Sequence, residues 1–251
     1  MIKRLLKAIL PVGMRRTIRR FEAIIFGMER EYKDKSNSEI FDKIYSQGVW
    51  GKTEDGIYTS GSGSHSAKVI GPYIDVVKNF ISDIRPKVIV DIGCGDFNVG
   101  KNFAEDAEKY VAFDVSSVIL QRNKEKYSSL ENVEFLKLDL ATDELPRGDV
   151  AFVRQVLQHL SNDDIKLFVD KINYNKPFKF LIVTEHLPGN KSFKPNINKP
   201  AGPNIRNDIN SGIILHEAPF GLQNKNYSEL LEVSEDVGAI KSVIRSTLYE
   251  F

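Results

Sequence analysis

From residue 87 onward two hydrophobic rhythms alternate along the chain. Short runs rich in β-branched and aromatic residues lie at 87–92, 109–113, 133–138, 149–153 and 178–184. Between them, near 99–108, 116–127 and 162–173, the pattern predicts helices. Short, nearly continuous apolar runs suit strands buried on both faces, and strands alternating with helices imply right-handed crossovers and a mostly parallel sheet with helices on both sides. Upstream, Ile40, Phe41 and Ile44 mark one face of a helix over 39–45. Val69, Ile70, Tyr73, Ile74, Val77, Phe80 and Ile81 mark a longer one. The rhythm breaks at 186–226, a polar tract with five prolines; a loop that long inside a compact domain is usually functional or disordered. The tail, 229–233 and 239–250, alternates like a hairpin, so the sheet should end in an antiparallel strand.

Composition narrows the class. A chain of 251 residues, 41% hydrophobic and 27% charged, suits one large soluble α/β domain. No apolar run approaches the roughly 20 residues that span a bilayer. The net charge of +1 gives no general case for nucleic acid, but it is unevenly placed: residues 1–30 carry eight Lys/Arg against Glu22 and Glu29. Residues 1–27 begin like a signal peptide, yet Lys7 and Pro11 break the apolar run. They read better as two basic amphipathic helices, which lie on an anionic membrane surface or a partner, or pack on the domain with a solvated basic face. The chain thus divides into a basic extension, 1–38, and a domain, 39–251, with 186–226 as a candidate acceptor lid. A single cysteine, Cys94, excludes an intrachain disulfide and fits a reducing cytoplasm.

The chemistry centres on 87–100, KVIVDIGCGDFNVG. An apolar run ends at Asp91 and gives way to a turn in which Gly93 and Gly95 permit positive φ and close approach of a ligand, ahead of a helix whose positive end would face an anion. Phe97 departs from the dinucleotide fingerprint, which wants another glycine there. Further acids stand at the ends of the next two strands. Asp114 is placed to accept the hydroxyl protons of a ribose, and Asp139 with Leu140 to meet an adenine amino group and ring face. The Ser/Gly run at 60–64 is either a flexible linker or a cap that presents donors to an anionic group.

VDIGCGDFN, FDVSS, LDLATDELPRGDVAFVRQVLQHLS and the terminal hairpin resemble class I S-adenosylmethionine-dependent methyltransferases over about residues 39–250. FDKIYSQGVWG, SGSGS, CGDFN, HLS and NDIN with APFGL are similar to a bacterial group associated with surface-polysaccharide biosynthesis. The resemblance implies a Rossmann-like, mostly parallel seven-stranded sheet and S-adenosylmethionine as cofactor. Gly93 and Gly95 would face its methionine part, with Gln155 on the same side; Asp114 and Val115 would hold the ribose, and Asp139 with Leu140 the adenine. Asp91, beside the turn, would also bind the cofactor, and Ser62 in the Ser/Gly run would close over the cofactor carboxylate or an acceptor phosphate.

Transfer to a hydroxyl needs alignment and a base. His159 is the first candidate and His186 the second, while Tyr58, Arg206, Asp208 and His216 are candidates for holding a polyhydroxylated or phosphorylated acceptor. Gln155, Gln158 and His159 replace a Glu, Glu, His metal set of a related pattern, so no metal is expected. The expected activity is cytoplasmic O-methylation of a sugar, nucleotide-linked sugar or glycan substituent, with residues 1–27 able to reach the inner face of the membrane. The alternatives are a small-metabolite methyltransferase and a cofactor-binding scaffold without turnover.

Overall fold

The computed structural model describes residues 32–53, 56–190, 192–235 and 241–251. The helices and membrane contact expected of residues 1–27 lie outside the described residues. Helices α1 (Asn37–Gln47) and α2 (Ala67–Ile84) lead into β1 (Val88–Ile92). Then follow β2 (Lys109–Asp114), α3 (Ser117–Lys126), β3 (Val133–Lys137), β4 (Gly148–Arg154), α4 (Asn162–Asn175), β5 (Phe178–Pro188), β6 (Asn226–Ser234) and β7 (Ser242–Glu250). The strands form one seven-stranded sheet in the order β3-β2-β1-β4-β5-β7-β6. β1 to β5 are mutually parallel, and β7 pairs antiparallel with both β5 and β6. The Rossmann-like expectation therefore holds, with the hairpin's second strand tucked inside and its first on the edge.

Alternate residues of each strand serve the two faces. Val90, Val111, Ala151 and Leu181 pack in one buried cluster with Ile165, Phe168 and Ile172 of α4 and Ile40 and Ile44 of α1. Ile89, Tyr110, Val150 and Ile182 pack in the other with Val77 and Ile81 of α2 and Ile119 of α3. Removing each such side chain from water is worth about 1.5–3 kcal/mol, which explains why near-continuous apolar runs were needed in the central strands.

Three expectations are corrected. The helix expected near 99–108 is a 3-10 stretch, Gly100–Asp106. The Asn102 side chain donates to the carbonyls of Asn98 and Val99, competing for acceptors that an α-helix would use. No α-helix therefore presents its positive end directly after the glycine turn. β5 runs on to Pro188 because its register with β7 continues to Ser242, so His186 lies within the strand and not beyond it. The helix expected over 39–45 starts earlier, at Asn37, because Ser36 caps it in a reciprocal box with Glu39.

The segment after β5 is well packed. Ile213, Leu215, Phe220 and Leu222 are buried in the α4 side of the core. Asn196 pins the segment internally, donating to the carbonyls of Ile214 and Ala218 while accepting from Ile214 N–H.

Candidate active site

β1 has β2 on one side and β4 on the other, so the direction of strand succession reverses at β1. Ligands of such sheets sit in the crevice this opens beyond the strand ends. Here the crevice encloses about 1010 Å³ of empty space, part of it open to solvent.

The floor is the glycine turn. Gly93 and Gly95 have φ of 69° and 55°, and a Cβ at Gly93 would stand 2.5 Å from Val156 Cγ2. A Cβ at Gly95 would strike the Ser60 hydroxyl. The turn's amides are engaged by the protein: those of Gly93 and Cys94 donate to the Phe113 carbonyl, and that of Gly95 to Asp114 at 3.0 Å. The turn thus offers a ligand close approach rather than free donors. Phe97, also in the left-handed region at φ 59°, turns its ring fully into the core. It meets Tyr110, Tyr127 and Phe135 edge-on. That packing is why an aromatic stands where the fingerprint has a glycine.

The strand-end acids converge on the same space. Asp114 accepts from Gly95 N–H and Ser116 N–H, yet burial outweighs those bonds and raises its carboxyl to about 6. Asp91 accepts from the Tyr110 hydroxyl at 3.1 Å, and burial raises it to about 7. Asp139, just past β3, accepts from Ala141 N–H and from the Asn37 amide, which brings α1 to this end of the cavity. Val115, Leu140 and Gln155 complete the inner wall.

A clasp closes one side. Ser60 N–H donates to Asp96 while Asp96 N–H donates to the Ser60 hydroxyl, and His65 Nε2 lies 2.6 Å from the same carboxylate. Asn98 holds the Ser64 carbonyl, and Arg154 holds that of Gly63. Of the Ser/Gly run it is Ser60 and Ser64 that line the cavity, with Ser62 in the 3-10 turn behind them.

The opposite wall is aromatic. Trp50 meets Tyr45 edge-on, with ring centroids 5.3 Å apart, and lies 4.8 Å from the His159 ring. The Gln158 amide points at His159 Nε2 from 3.3 Å, while Nδ1 is buried without a hydrogen-bond partner. Burial, helped by Lys199, pushes the His159 imidazole down to about 3. It is neutral at physiological pH.

The other expected site residues lie elsewhere. His186 hydrogen-bonds Ser242 inside the sheet, where burial lowers its pKa. Arg206 is fully buried, donating to Leu157 O, Asn162 Oδ1 and Ile197 O. It braces the stretch that carries His159. Asp208 follows it in a 3-10 turn and carries part of the field that opposes the lowering at His186. His216 stacks on Tyr227 and contacts the Tyr249 hydroxyl. Tyr58 pairs with Lys52 in a β-bridge, and its carbonyl accepts from Arg122. None of these five, and no residue of 186–226, is among those lining the cavity.

Sequence reasoning missed Arg154, Trp50 and Asn37, which do line it. Two had a signal. Arg154 is a lone charge ending an apolar strand, and Trp50 is the only tryptophan.

Residues 90–174 match the family described as "Methyltransferase domain". No curated protein matches the sequence. Among solved structures, the chain is similar to the N-methyltransferase NodS from Bradyrhizobium japonicum in complex with S-adenosylhomocysteine: TM-score 0.57 and 10% identity, over 84% of this chain and 98% of that one. The N-terminal domain of EvdMO1 with S-adenosylhomocysteine bound gives a TM-score of 0.53 at 13% identity, over 94% and 96%. Human N-acetylserotonin methyltransferase in complex with S-adenosylmethionine gives 0.53 at 13%, over 92% and 68%. At such identities the structural likeness establishes the fold. With the domain match inside the chain, it supports a methyltransferase enzyme that uses S-adenosylmethionine.

The cavity fits that cofactor on its own chemistry. It joins acceptors for hydroxyl and amino groups at Asp114 and Asp139, glycines whose Cβ would obstruct the floor, and two buried donors without partners, Arg154 Nε and Gln155 Nε2.

Proposed function

We propose that this protein is an O-methyltransferase acting on a sugar, a nucleotide-linked sugar or a glycan substituent in bacterial surface-polysaccharide biosynthesis. S-Adenosylmethionine supplies a methyl group on a positively charged sulfur. Asp114 holds the ribose hydroxyls, Asp139 and Leu140 the adenine, and Gly93, Gly95 and Gln155 the methionine side.

The observation that carries the acceptor reading is the Trp50–His159 pair. Of the four histidines only His159 lines the cavity, and it does so against an indole. An aromatic face suits the apolar face of a sugar ring, and a neutral imidazole can accept the hydroxyl proton. A pKa near 3 suffices, because an oxygen that is being alkylated becomes a strong acid as the new bond forms. Trp50 Nε1 lies 3.4 Å from the Pro203 carbonyl, and Gly202 N–H donates to His159 O. The segment 186–226 thus backs this pair and is the lid side of the proposed acceptor entrance. EvdMO1, crystallised in the presence of D-fucose, makes hexoses a sensible first panel.

The test is incubation with labelled S-adenosylmethionine and a panel of nucleotide-activated sugars and phosphosugars. Label in a sugar hydroxyl is expected; label only in non-carbohydrate acceptors would remove the glycan assignment. We place the enzyme in the cytoplasm. No helix among the described residues is long and apolar enough to cross a membrane. The basic residues 1–27 are the proposed point of membrane contact. Full-length protein should float with anionic liposomes and a chain starting at Glu31 should not; equal behaviour would refute it.

A further inference from the structure

The side-chain amide of Gln158 has its orientation fixed from two directions. The residue is buried, and it stands behind the cavity wall, not among the residues that line it. Its Oε1 accepts from His186 N–H of β5 at 3.3 Å, and its Nε2 donates to the Gln155 carbonyl at 3.4 Å. A backbone N–H only donates and a carbonyl only accepts, so both bonds agree on which end of the amide is nitrogen. That nitrogen is the atom 3.3 Å from His159 Nε2. It has hydrogens and no acceptor capacity, so Nε2 must supply the lone pair.

His159 is neutral, because burial, Lys199 and Arg206 all oppose a second proton on the ring. The backbone of Gly202 and Asn204 acts in the opposite sense, as acceptors of a ring N–H do, without reaching hydrogen-bond geometry at Nδ1. A neutral imidazole carries one hydrogen, and with Nε2 accepting it sits on Nδ1. Nδ1 is itself buried without a hydrogen-bond partner, which leaves the Gln158 contact to decide between the tautomers.

Resting on the reading of His159 as the base, we propose that Gln158 is a positioning residue: it holds the hydrogen of His159 on Nδ1 and keeps Nε2 as the atom that takes the acceptor's proton. At 3.3 Å the amide contact is long for a hydrogen bond, so an acceptor hydroxyl competes for the same lone pair. The hydroxyl proton passes to Nε2 as its oxygen forms the bond to the methyl carbon, and the electron pair of the broken C–S bond stays on sulfur. The imidazolium then sets Nε2–H against the Gln158 N–H group, two donors in opposition, and its proton leaves to water. A glutamate at 158 would accept from Nε2–H and select the other tautomer. The glutamine that departs from the metal-binding pattern therefore has a use of its own.

Nitrogen NMR of the full-length protein with isotope-labelled histidine tests this at neutral pH, with His159→Ala identifying the His159 signals. Wild-type His159 should show a protonated Nδ1 and an unprotonated Nε2. Gln158→Met, close in volume but unable to donate, should show the averaged signals of a tautomer mixture. Its affinity for S-adenosylhomocysteine should stay within about threefold, while turnover of the acceptor labelled in the sugar panel falls at least about tenfold, part of what a positioned base contributes. A hydrogen on Nε2 in the wild type would overturn the assignment whether or not the variant folds, and so would an unchanged tautomer or wild-type turnover in Gln158→Met. Wild-type turnover in His159→Ala would instead overturn the base reading, and with it the role of Nε2, whatever tautomer the ring shows.

Discussion

His159 couples a catalytic proposal to the burial of its imidazole. Its imidazole is enclosed by Trp50, the Gln158 amide and the stretch around Gly202, and burial holds it neutral. His159→Ala should keep affinity for S-adenosylhomocysteine while turnover falls about 10²-fold or more, the usual contribution of a positioned base. Near wild-type turnover would remove it from the chemistry. Because its pKa is lowered, the acid limb of the rate profile should lie below pH 5 and not near the ordinary histidine value of about 6.5. Phe97 poses a different test. Its ring is fully buried among three aromatic partners, so Phe97→Ala should cost about 3–5 kcal/mol in a denaturant titration. A loss below 1 kcal/mol would show that Phe97 is in the turn for ligand contact and not for packing.

At the scale of elements, the Ser161 cap links fold to site. Two residues after His159, its hydroxyl accepts from Asp164 N–H in a reciprocal box that caps α4. Asn37 of α1 bridges Asp164 to Asp139, joining both helices to the adenine end of the cavity. Ser161→Ala should cost about 1 kcal/mol of stability, read as a lower denaturation midpoint with an unchanged slope; no change would mean that the cap is redundant. The strands, α4 and the strand-end acids were legible in the sequence because burial on both faces leaves continuous apolar runs and strand ends leave acids. The 3-10 stretch was not, because Asn102's side-chain bonds to Asn98 and Val99 depend on the turn already being formed. Nor was the fate of 186–226. Polar composition marked the tract as irregular but did not show that Asn196 and Arg206 use their polar groups to pack it inward. Arg154 and Trp50 needed three-dimensional context: a single residue in sequence does not reveal that a cavity opens beside it.

For the whole molecule, the interior buries acids whose ionisation opposes folding. Burial raises Asp114 to about 6, Asp91 to about 7 and Glu185 to about 8. The folded state therefore holds protons that the unfolded chain has released, and stability present below pH 4 is lost as pH rises through these values. His159 acts oppositely: its folded pKa is depressed, so its contribution is complete above about pH 6.5 and falls away in acid. Between pH 6.5 and 8 only the acids remain, and the melting temperature of the ligand-free protein should fall across that window, less steeply in Glu185→Gln. A rise would contradict the buried-acid account.

The central claim is that the crevice beyond β1, β2 and β4 is a cofactor site organised by Asp114. It is tested most directly by calorimetric titration of S-adenosylhomocysteine into wild-type protein and Asp114→Ala. One-to-one binding by the wild type, weakened about tenfold or more in the variant, is the expected result. No binding by the wild type, or equal binding by both proteins, would contradict it.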